Sequence, residues 1–277
     1  MIAVDVFNLI YRALGVVTGK RMRSEGYLYG DIGKSFLQVF FKMFNRIYRN
    51  FRNEEIVIAW EGDGRNFRYG IYPDYKGNRD GKMREEIDDD YYAAVREGLA
   101  CYGCKILQHE KAEADDIIYG LCDLFRDKEI TVISGDSDFI QLLQQFDNVK
   151  LFSPNKDSYL AKPKYDYVKY KAIRGDASDN IKGLYGYGEK KAAAVLGNYE
   201  TFWGALSEES QEMILRNVTI IDLSRNPDND EIRQSIKKQI SEQKNEFSLK
   251  RISQFTIRYQ LKEIYANLNS ELGAFHK

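Results

Sequence analysis

Acidic residues recur in this chain at or just beyond the ends of apolar segments, where their carboxylates could hold metal ions together. The acids in these places are Asp5, Glu61, Asp63, Glu113, Asp115, Asp116, Asp136, Asp138, Asp176 and Asp179. Carboxylates that converge on one point repel each other unless a cation neutralises them. Hard oxygen ligands suit Mg²⁺ or Mn²⁺, and two such ions about 3.5–4 Å apart serve phosphodiester hydrolysis. The pattern therefore favours metal-dependent phosphoryl chemistry.

Each acid also has a purely structural interpretation. Acids at helix N-termini cap free amides and offset the helix dipole, and Glu113 and Asp116 stand where a helix is expected to begin. For one acid taken alone, capping or solvation is the better interpretation. The repetition favours a shared site, because ligands of an open parallel sheet bind beyond the carboxyl ends of its strands.

The elements that must position these acids alternate between strand and helix in the first half of the chain. Apolar periodicity predicts strands at 2–6, 55–60, 105–108 and 130–134 and helices at 32–52, 85–100, 112–125 and 139–145. Such alternation predicts an α/β fold, in which helices flank a parallel twisted sheet. After about Pro163 the pattern predicts helices alone, near 165–174, 189–196, 208–221, 231–243 and 257–267. We expect a domain boundary near residue 163.

The total charge conceals an uneven distribution. The chain has 277 residues, and its 41 Lys and Arg against 42 Asp and Glu give a net charge of −1. Nucleic-acid-binding domains are usually basic, so the total argues against such a partner. The segment 64–84, however, has only two acids beside the basic residues Arg65, Arg68, Lys76, Arg79, Lys82 and Arg84. An acidic pocket beside a basic rim fits this distribution.

The cysteines and the apolar segments bear on location. An odd number of cysteines without a signal peptide predicts a reducing, cytoplasmic setting. Cys101 and Cys104 have zinc-ligand spacing, but no second Cys/His pair follows, so plain thiols are the better interpretation. No apolar run reaches the roughly 20 residues that a membrane span needs.

Several motifs, taken in order, resemble the 5′-nuclease superfamily of flap endonucleases, the nuclease domain of bacterial DNA polymerase I, phage 5′–3′ exonucleases and phage ribonuclease H. The motifs are IAVD from Ile2, FR at Phe67, YPDYKGNR from Tyr72, EADD from Glu113, GDSD from Gly135, GDASDNIKGLYGYGEKK from Gly175 and RNVTIIDL from Arg216. Singly several of them are weak, but together they cover most of the chain and resemble the short phage enzymes most closely.

The resemblance implies a two-metal site. Asp5, Glu113, Asp115 and Asp136 would hold a first Mg²⁺, with Asp116 close by. A second ion would be held, partly through water, by Asp138, Asp176 and Asp179. Mn²⁺ would substitute for Mg²⁺.

One position departs from the family pattern. Glu61 stands where the family usually has Asp, and its longer side chain would reach the metal through water or shift it. Asp63 is the alternative ligand if the loop is offset, and we rank Glu61 first.

The resemblance also implies a nuclease core at 1–163 with a helical arch or gateway at about 64–100, through which a single 5′ strand passes. Lys76 and Arg79 would hold and polarise the scissile phosphate as catalytic residues. Arg12, Arg68, Tyr75 and Lys82 would contact DNA. A solvated loop with a few buried tyrosines is the alternative for the basic segment, and an ordinary surface arginine is the alternative for Arg12.

A helix–hairpin motif at about 165–197 would then lie in a helical DNA-binding part, 164–277. Its glycines let backbone amides approach a phosphate closely, and a K⁺ ion often occupies this turn in the family. The residues assigned to DNA contact here are Lys171, Gly183, Gly186, Gly188, Lys190 and Lys191. Taken alone, this turn would be weak evidence for DNA binding, because it could also be a simple connector between helices.

The function implied is a structure-specific 5′-nuclease that cuts 5′ flaps and acts as a 5′–3′ exonuclease, with ribonuclease H activity as a further activity of the family. The substrates would be branched or nicked DNA and RNA–DNA hybrids, during removal of replication primers in a phage, in the host cytoplasm. A monomer is expected, and a single-strand-binding protein or a clamp would be its protein partner. Two alternatives are a single-strand ribonuclease with the same acids and a non-catalytic branch-binding protein.

Overall fold

The computed structural model describes residues 1–19, 32–78 and 88–272. The strands in these ranges are β1 (Ile2–Asp5), β2 (Ile56–Trp60), β3 (Lys105–Gln108), β4 (Ile130–Ile133), β5 (Val149–Ser153), β6 (Ser158–Tyr159), β7 (Gly175–Asp176) and β8 (Ile181–Lys182). The α-helices are α1 (Val6–Thr18), α2 (Ile32–Phe51), α3 (Phe67–Ile71), α4 (Asp89–Cys101), α5 (Ala114–Leu124), α6 (Leu142–Gln145), α7 (Tyr167–Arg174), α8 (Glu189–Val195), α9 (Tyr199–Gly204), α10 (Glu208–Ile221), α11 (Asn229–Glu242), α12 (Leu249–Arg258) and α13 (Lys262–Glu271). Short 3₁₀ turns lie at Ser137–Gln141, Leu196–Asn198 and Leu223–Arg225.

The chain forms two compact units that are interleaved in sequence. The first contains the described residues of Met1–Trp60, Gly81–Leu107 and Lys237–Lys277, and the second contains those of Glu61–Asp80 and Gln108–Ile236. The predicted domain boundary near residue 163 does not coincide with the limits of these two units, and it stays a prediction.

The first unit holds three neighbouring strands in the order β3-β2-β1. β1 and β2 pair in parallel, and every residue of both strands is buried. Helix α2 buries a stripe of phenylalanines, among them Phe36, Phe40 and Phe44, at the spacing of a helix face. The side-chain amide of Gln243 accepts from Ile106 N (2.8 Å) and donates to Ile106 O (2.7 Å). Strand β3 therefore has its backbone groups at this position satisfied by a side chain.

The second unit holds the order β4-β5-β6, with β4 and β5 parallel and β5 and β6 antiparallel. Helices α7 and α10 share an apolar cluster that includes Ile173, Ile214 and Ile221. Buried Asn217 donates from Nδ2 to Ala172 O (3.0 Å) and to Lys182 O (2.8 Å), so α10 is fixed to α7 and to β8. A buried polar side chain needs such partners to offset its desolvation.

The predicted α/β class, with mostly parallel strands flanked by helices and a helical C-terminal part, is confirmed. Three expectations were wrong. Strands do occur after residue 163, because β7 and β8 form a small antiparallel ribbon. The helix expected at 257–267 is two helices, α12 and α13, separated at Gln260, whose φ is 57°. Strands β5 and β6 lie where no strand was predicted. In the described ranges no helix has the length and apolar character that crossing a membrane requires.

Candidate active site

The start of α5 in the second unit brings three acids of the EADD motif into one turn. The backbone N–H of Glu113 donates to Oδ2 of Asp116 at 3.0 Å, which closes the first turn of the helix. Asp116 is fully buried, whereas Glu113 and Asp115 are partly exposed. Asp116 therefore holds the helix start that presents the other two carboxylates.

Arg68 neutralises Asp116 in the interior. Its Nη1 and Nη2 donate to the two carboxylate oxygens of Asp116, each at 2.8 Å, and its Nε donates to Ile220 O at 3.0 Å. The side chain is 2 % exposed, and the bidentate geometry makes the pair directional. This position corrects the expectation that Arg68 contacts DNA, because its guanidinium has almost no surface to offer a phosphate. The pair also takes up both oxygens of Asp116, which was expected near the first metal.

Two residues of the YPDYK segment face the same helix start. Lys76 Nζ lies 2.7 Å from Glu113 Oε1. The Tyr75 hydroxyl lies 2.9 Å from Glu113 Oε2 and 3.2 Å from Asp179 Oδ2, and its one proton can serve one of them at a time. Lys76 thus lies beside the acids as expected. Tyr75 is buried at 3 % exposure, so the expectation of an exposed DNA contact is corrected.

The charges around Glu113 shift the pKa of Glu113 and the pKa of Asp115 in opposite directions. Burial disfavours the ionised form of Glu113, but Lys76 and Arg68 outweigh this effect and hold its pKa at about 2. Burial, followed by the carboxylates of Glu113 and Asp116, raises the pKa of Asp115 well above its usual range. A carboxylate crowded in this way is stabilised in its charged form by a cation. The assignment of a divalent ion to Asp115 stays a prediction.

A second group of acids joins the turn after β4 to the ribbon of β7 and β8. Each of Asp138, Asp176 and Asp179 places a carboxylate oxygen within 4.8 Å of an oxygen of the other two. Burial raises the pKa of Asp138 to about 6, with the nearby Asp136 and Asp176 adding to the effect and Lys171 opposing it. Three hard oxygen donors at this spacing fit a divalent cation.

Lys171 lies inside this second group. Its Nζ pairs with Oδ1 of Asp138 and lies 2.5 Å from Oδ2 of Asp176, and its side chain is 3 % exposed. The position corrects the expectation that Lys171 contacts a DNA phosphate, because its ammonium is enclosed by carboxylates. Burial alone would lower the pKa of Lys171, yet the two aspartates raise it, so the side chain is charged.

Two asparagines that were given no role in the sequence analysis connect the lysine-bearing loop to the second acid group. Asn180 Nδ2 donates to Asp74 O, and Asn78 Nδ2 donates to Ala177 O, each at 2.7 Å. The backbone N–H of Lys76 donates to Asp179 O at 2.9 Å. Both Lys76 and Asn180 have positive φ, 53° and 58°, and Asn is among the residues that tolerate this conformation best. For Asn180, the available signal was its position directly after Asp179 in the SDN sequence.

The other expected metal ligands are placed as follows. In the first unit, Asp5 ends β1, and its Oδ1 accepts from Asn8 N at 3.1 Å, which caps α1. In the second unit, Asp136 is exposed, and its Oδ1 accepts from Asp138 N at 2.9 Å. Glu61 is half-buried and Asp63 is exposed. The ranking of these two stays a prediction.

Of the remaining basic residues with a predicted role in the first half of the chain, the structure describes Arg12 but not Arg79 or Lys82. Arg12 is half-buried in the first unit, where burial and then the nearby Arg46 lower its pKa. The catalytic assignment of Arg79 and the DNA-contact assignment of Lys82 lie outside the described residues, as does part of the predicted arch.

The helix–hairpin segment follows the second acid group directly. A Cβ on Gly183 would meet Arg174 C and O at 2.2 Å, so only glycine fits. Gly186 has φ 79° and open space around it, and Gly188 precedes α8. Lys190 and Lys191 are exposed. The exposed turn and its lysines agree with a phosphate-contacting surface, whereas Gly183 has a packing role of its own.

Comparisons with known proteins identify the family of the chain. Residues 1–175, more than half of the chain, match the family model described as 5′–3′ exonuclease, N-terminal resolvase-like domain. A 5′–3′ exonuclease of Mycoplasmopsis pulmonis is 32 % identical over 179 residues, which are 61 % of this chain and 59 % of that protein. The 5′–3′ exonuclease of Bacillus subtilis is 29 % identical over 215 residues, 73 % of this chain and 71 % of its own length.

Among solved structures, phage T5 5′-exonuclease with bound divalent zinc has a TM-score of 0.67 at 20 % identity and covers 87 % of this chain and 98 % of its own. The T5 flap endonuclease in complex with DNA and metal ions has a TM-score of 0.64 at 19 % identity, with coverage of 87 % and 99 %. At these identities the likeness establishes the fold. With the family match over residues 1–175, it follows that the chain belongs to the 5′–3′ exonuclease family.

Proposed function

We propose that this chain is a divalent-metal-dependent 5′-nuclease that hydrolyses a phosphodiester near the junction of single-stranded and duplex DNA. The observation that supports this most is the arrangement at α5, where Lys76 lies 2.7 Å from Glu113 in a loop that is hydrogen-bonded to the Asp176–Asp179 turn. Lys76 and two groups of acids are thus held in one unit. The T5 enzyme of similar fold binds divalent metal and DNA.

Mg²⁺ is the ion that we propose, with Mn²⁺ as a substitute. The first ion would be held by Glu113 and Asp115 with Asp136, and the second by Asp138, Asp176 and Asp179. The assignment of Asp5 stays a prediction. When bound, such ions activate water and stabilise the leaving oxygen of a phosphodiester. Glu61 is proposed to support the first ion through water.

Lys76 supplies positive charge to the scissile phosphate. A phosphate that approaches the acids would draw Nζ of Lys76 away from Glu113, and the ammonium would then stabilise the charge that grows on the phosphate oxygens. Its location on a loop fixed by backbone hydrogen bonds limits the motion needed. Arg79 is proposed to assist it.

The exposed hairpin turn at Gly186, with Lys190 and Lys191, is proposed to hold the duplex part of the substrate by its backbone. A K⁺ ion in this turn belongs to the same proposal. Such contacts fix the position of the cut without reading base sequence. Removal of RNA primers or flaps in replication, a cytoplasmic location and a monomeric state complete the proposal, with a single-strand-binding protein or a clamp as partner.

Replacement of Lys76 by Ala tests this assignment. We expect the rate of cleavage of a 5′-flap duplex to fall by about a hundredfold or more. A positive charge held in place beside the negative charge that develops on the phosphate contributes strongly to catalysis. Mn²⁺ binding measured by calorimetry should be kept, because Lys76 is no ligand. Lys156→Ala, which removes an exposed lysine in the β5–β6 turn, is the matched control. Unchanged cleavage by Lys76→Ala would remove the assignment.

Substrate competition separates this proposal from its alternatives. A 5′ flap, an RNA–DNA hybrid and single-stranded RNA would be offered together to the full chain. Preferred cleavage of the flap or of the hybrid supports the 5′-nuclease, and preferred cleavage of single-stranded RNA supports the ribonuclease alternative. Tight flap binding without cleavage at any metal concentration supports the branch-binding alternative.

A further inference from the structure

The buried ammonium of Lys171 lies against two of the three acids to which the proposed function assigns the second metal ion. The side chain projects from the last turn of α7, at 3 % exposure, and pairs with both Asp138 and Asp176. Its ammonium joins two members of the Asp138, Asp176 and Asp179 group.

Both oxygens of Asp176 already have hydrogen-bond partners in this arrangement. Oδ1 accepts from Ser178 N at 2.9 Å and from Ser178 Oγ at 2.5 Å, while Oδ2 faces Lys171 Nζ at 2.5 Å. A divalent ion that binds Asp176 directly shares its oxygens with these partners or displaces one of them. The ammonium is the partner that the ion also repels, because both are cations.

We propose that Lys171 is a resident counter-ion that competes with the divalent cation for Asp138 and Asp176 and thereby lowers the affinity of the second metal site. This inference rests on the proposed function, since it concerns the same acids. With Lys171 in place, one positive charge offsets part of the negative charge of the three carboxylates in the absence of metal. The second site then fills only at higher metal concentration or when another ligand, such as a substrate phosphate, adds to the binding of the ion.

The alternative is that Lys171 supports the metal by holding the acids in position. The two ideas predict opposite results when the charge is removed. If Lys171 competes, its loss strengthens metal binding, because the repulsion disappears and both oxygens are released. If Lys171 only positions the acids, its loss weakens metal binding, because the carboxylates repel each other and separate.

The experiment is a calorimetric titration of the full chain with Mn²⁺, with Lys171→Met compared with the unmodified protein. We expect the second site to bind Mn²⁺ on the order of tenfold more tightly in Lys171→Met, from the loss of a unit charge a few ångströms from the ion. Lys169→Met removes a lysine of the same helix whose Nζ faces Asp166 at 3.6 Å, and it should keep the original affinity. Asp138→Asn in the Lys171→Met background should cancel the gain.

A buried lysine that pairs with two acids also stabilises the metal-free fold, so Lys171→Met is expected to melt at a lower temperature without Mn²⁺ and to gain more on Mn²⁺ addition than the unmodified protein. Lys171→Arg keeps the charge and should retain the original Mn²⁺ affinity, which gives a folded comparison if Lys171→Met does not fold without metal. Affinity in Lys171→Met that is equal to or weaker than the original would overturn the inference and leave the proposed function standing. Absence of Mn²⁺ binding in every protein would overturn both.

Discussion

The buried pair of Arg68 and Asp116 allows the sharpest prediction about stability. Arg68→Met removes a guanidinium from a side chain that is 2 % exposed and leaves the buried Asp116 carboxylate without its two 2.8 Å bonds. Breaking a buried ion pair from one side costs about 3–5 kcal/mol, because an uncompensated charge stays buried. The carbonyl of Ile220 also loses its donor, which adds roughly 1–3 kcal/mol. Since domains are stable by only about 5–15 kcal/mol, the variant should be close to unfolding at room temperature.

The assay is urea unfolding followed by circular dichroism, on Arg68→Met, Asp116→Asn and the double variant. The double variant should be destabilised by less than the sum of the single variants, by about 2 kcal/mol or more, because it leaves no buried charge unpaired. Arg65→Ala is the matched control, since Arg65 is exposed and lies over the Tyr69 ring at 5.3 Å. We expect this control to stay within about 0.5 kcal/mol of the original. A loss below about 1 kcal/mol in Arg68→Met would refute the reasoning, since a buried pair broken from one side should cost more.

Three further predictions follow from the same structure. Asn180→Gly keeps the positive φ but removes the side-chain amide that holds the Lys76 loop. The rate of flap cleavage should therefore fall by about ten- to a hundredfold, with KM nearly unchanged. An unchanged rate would show that other contacts hold the loop. Gly183→Ala should unfold the hairpin region, because the added Cβ would meet the Arg174 backbone at 2.2 Å. Gly188→Ala places its Cβ in open space and should keep the original melting temperature. Equal melting temperatures of the two variants would contradict the packing role of Gly183. Burial raises the pKa of all three cysteine thiols. A disulfide reagent at about pH 8 should therefore react rapidly with them only after denaturation. Rapid reaction with the folded protein would contradict this burial.

The grouping of Asp138, Asp176 and Asp179 could be predicted because it follows from the order of the acid motifs along the chain. The elements at 105–108 and 208–221 have the expected bounds, since periodic apolar residues and capping residues such as Ser207 mark them. The break at Gln260 could not be predicted in this way, because no glycine or proline marks it. Positive φ at an ordinary residue arises from packing around the turn, which local sequence does not specify.

The environments of the basic residues were predicted less well than those of the acids. Arg68 and Lys171 were assigned to DNA contact, yet both neutralise buried carboxylates. For Lys171 a signal was present, because it lies one turn after Tyr167 and Val168 on the buried side of α7. For Arg68 none was present, because its partners Asp116 and Ile220 are distant in sequence. Which cation meets which carboxylate depends on tertiary packing.

The measurement that tests the central claim most directly is cleavage of a 5′-end-labelled flap duplex by the full chain with Mg²⁺, with EDTA, and with Asp138→Asn. The account predicts Mg²⁺-dependent products at the branch that EDTA abolishes and that Asp138→Asn reduces by orders of magnitude while the protein stays folded. Flap binding without products under every metal condition, or products of equal yield from Asp138→Asn, would contradict the account.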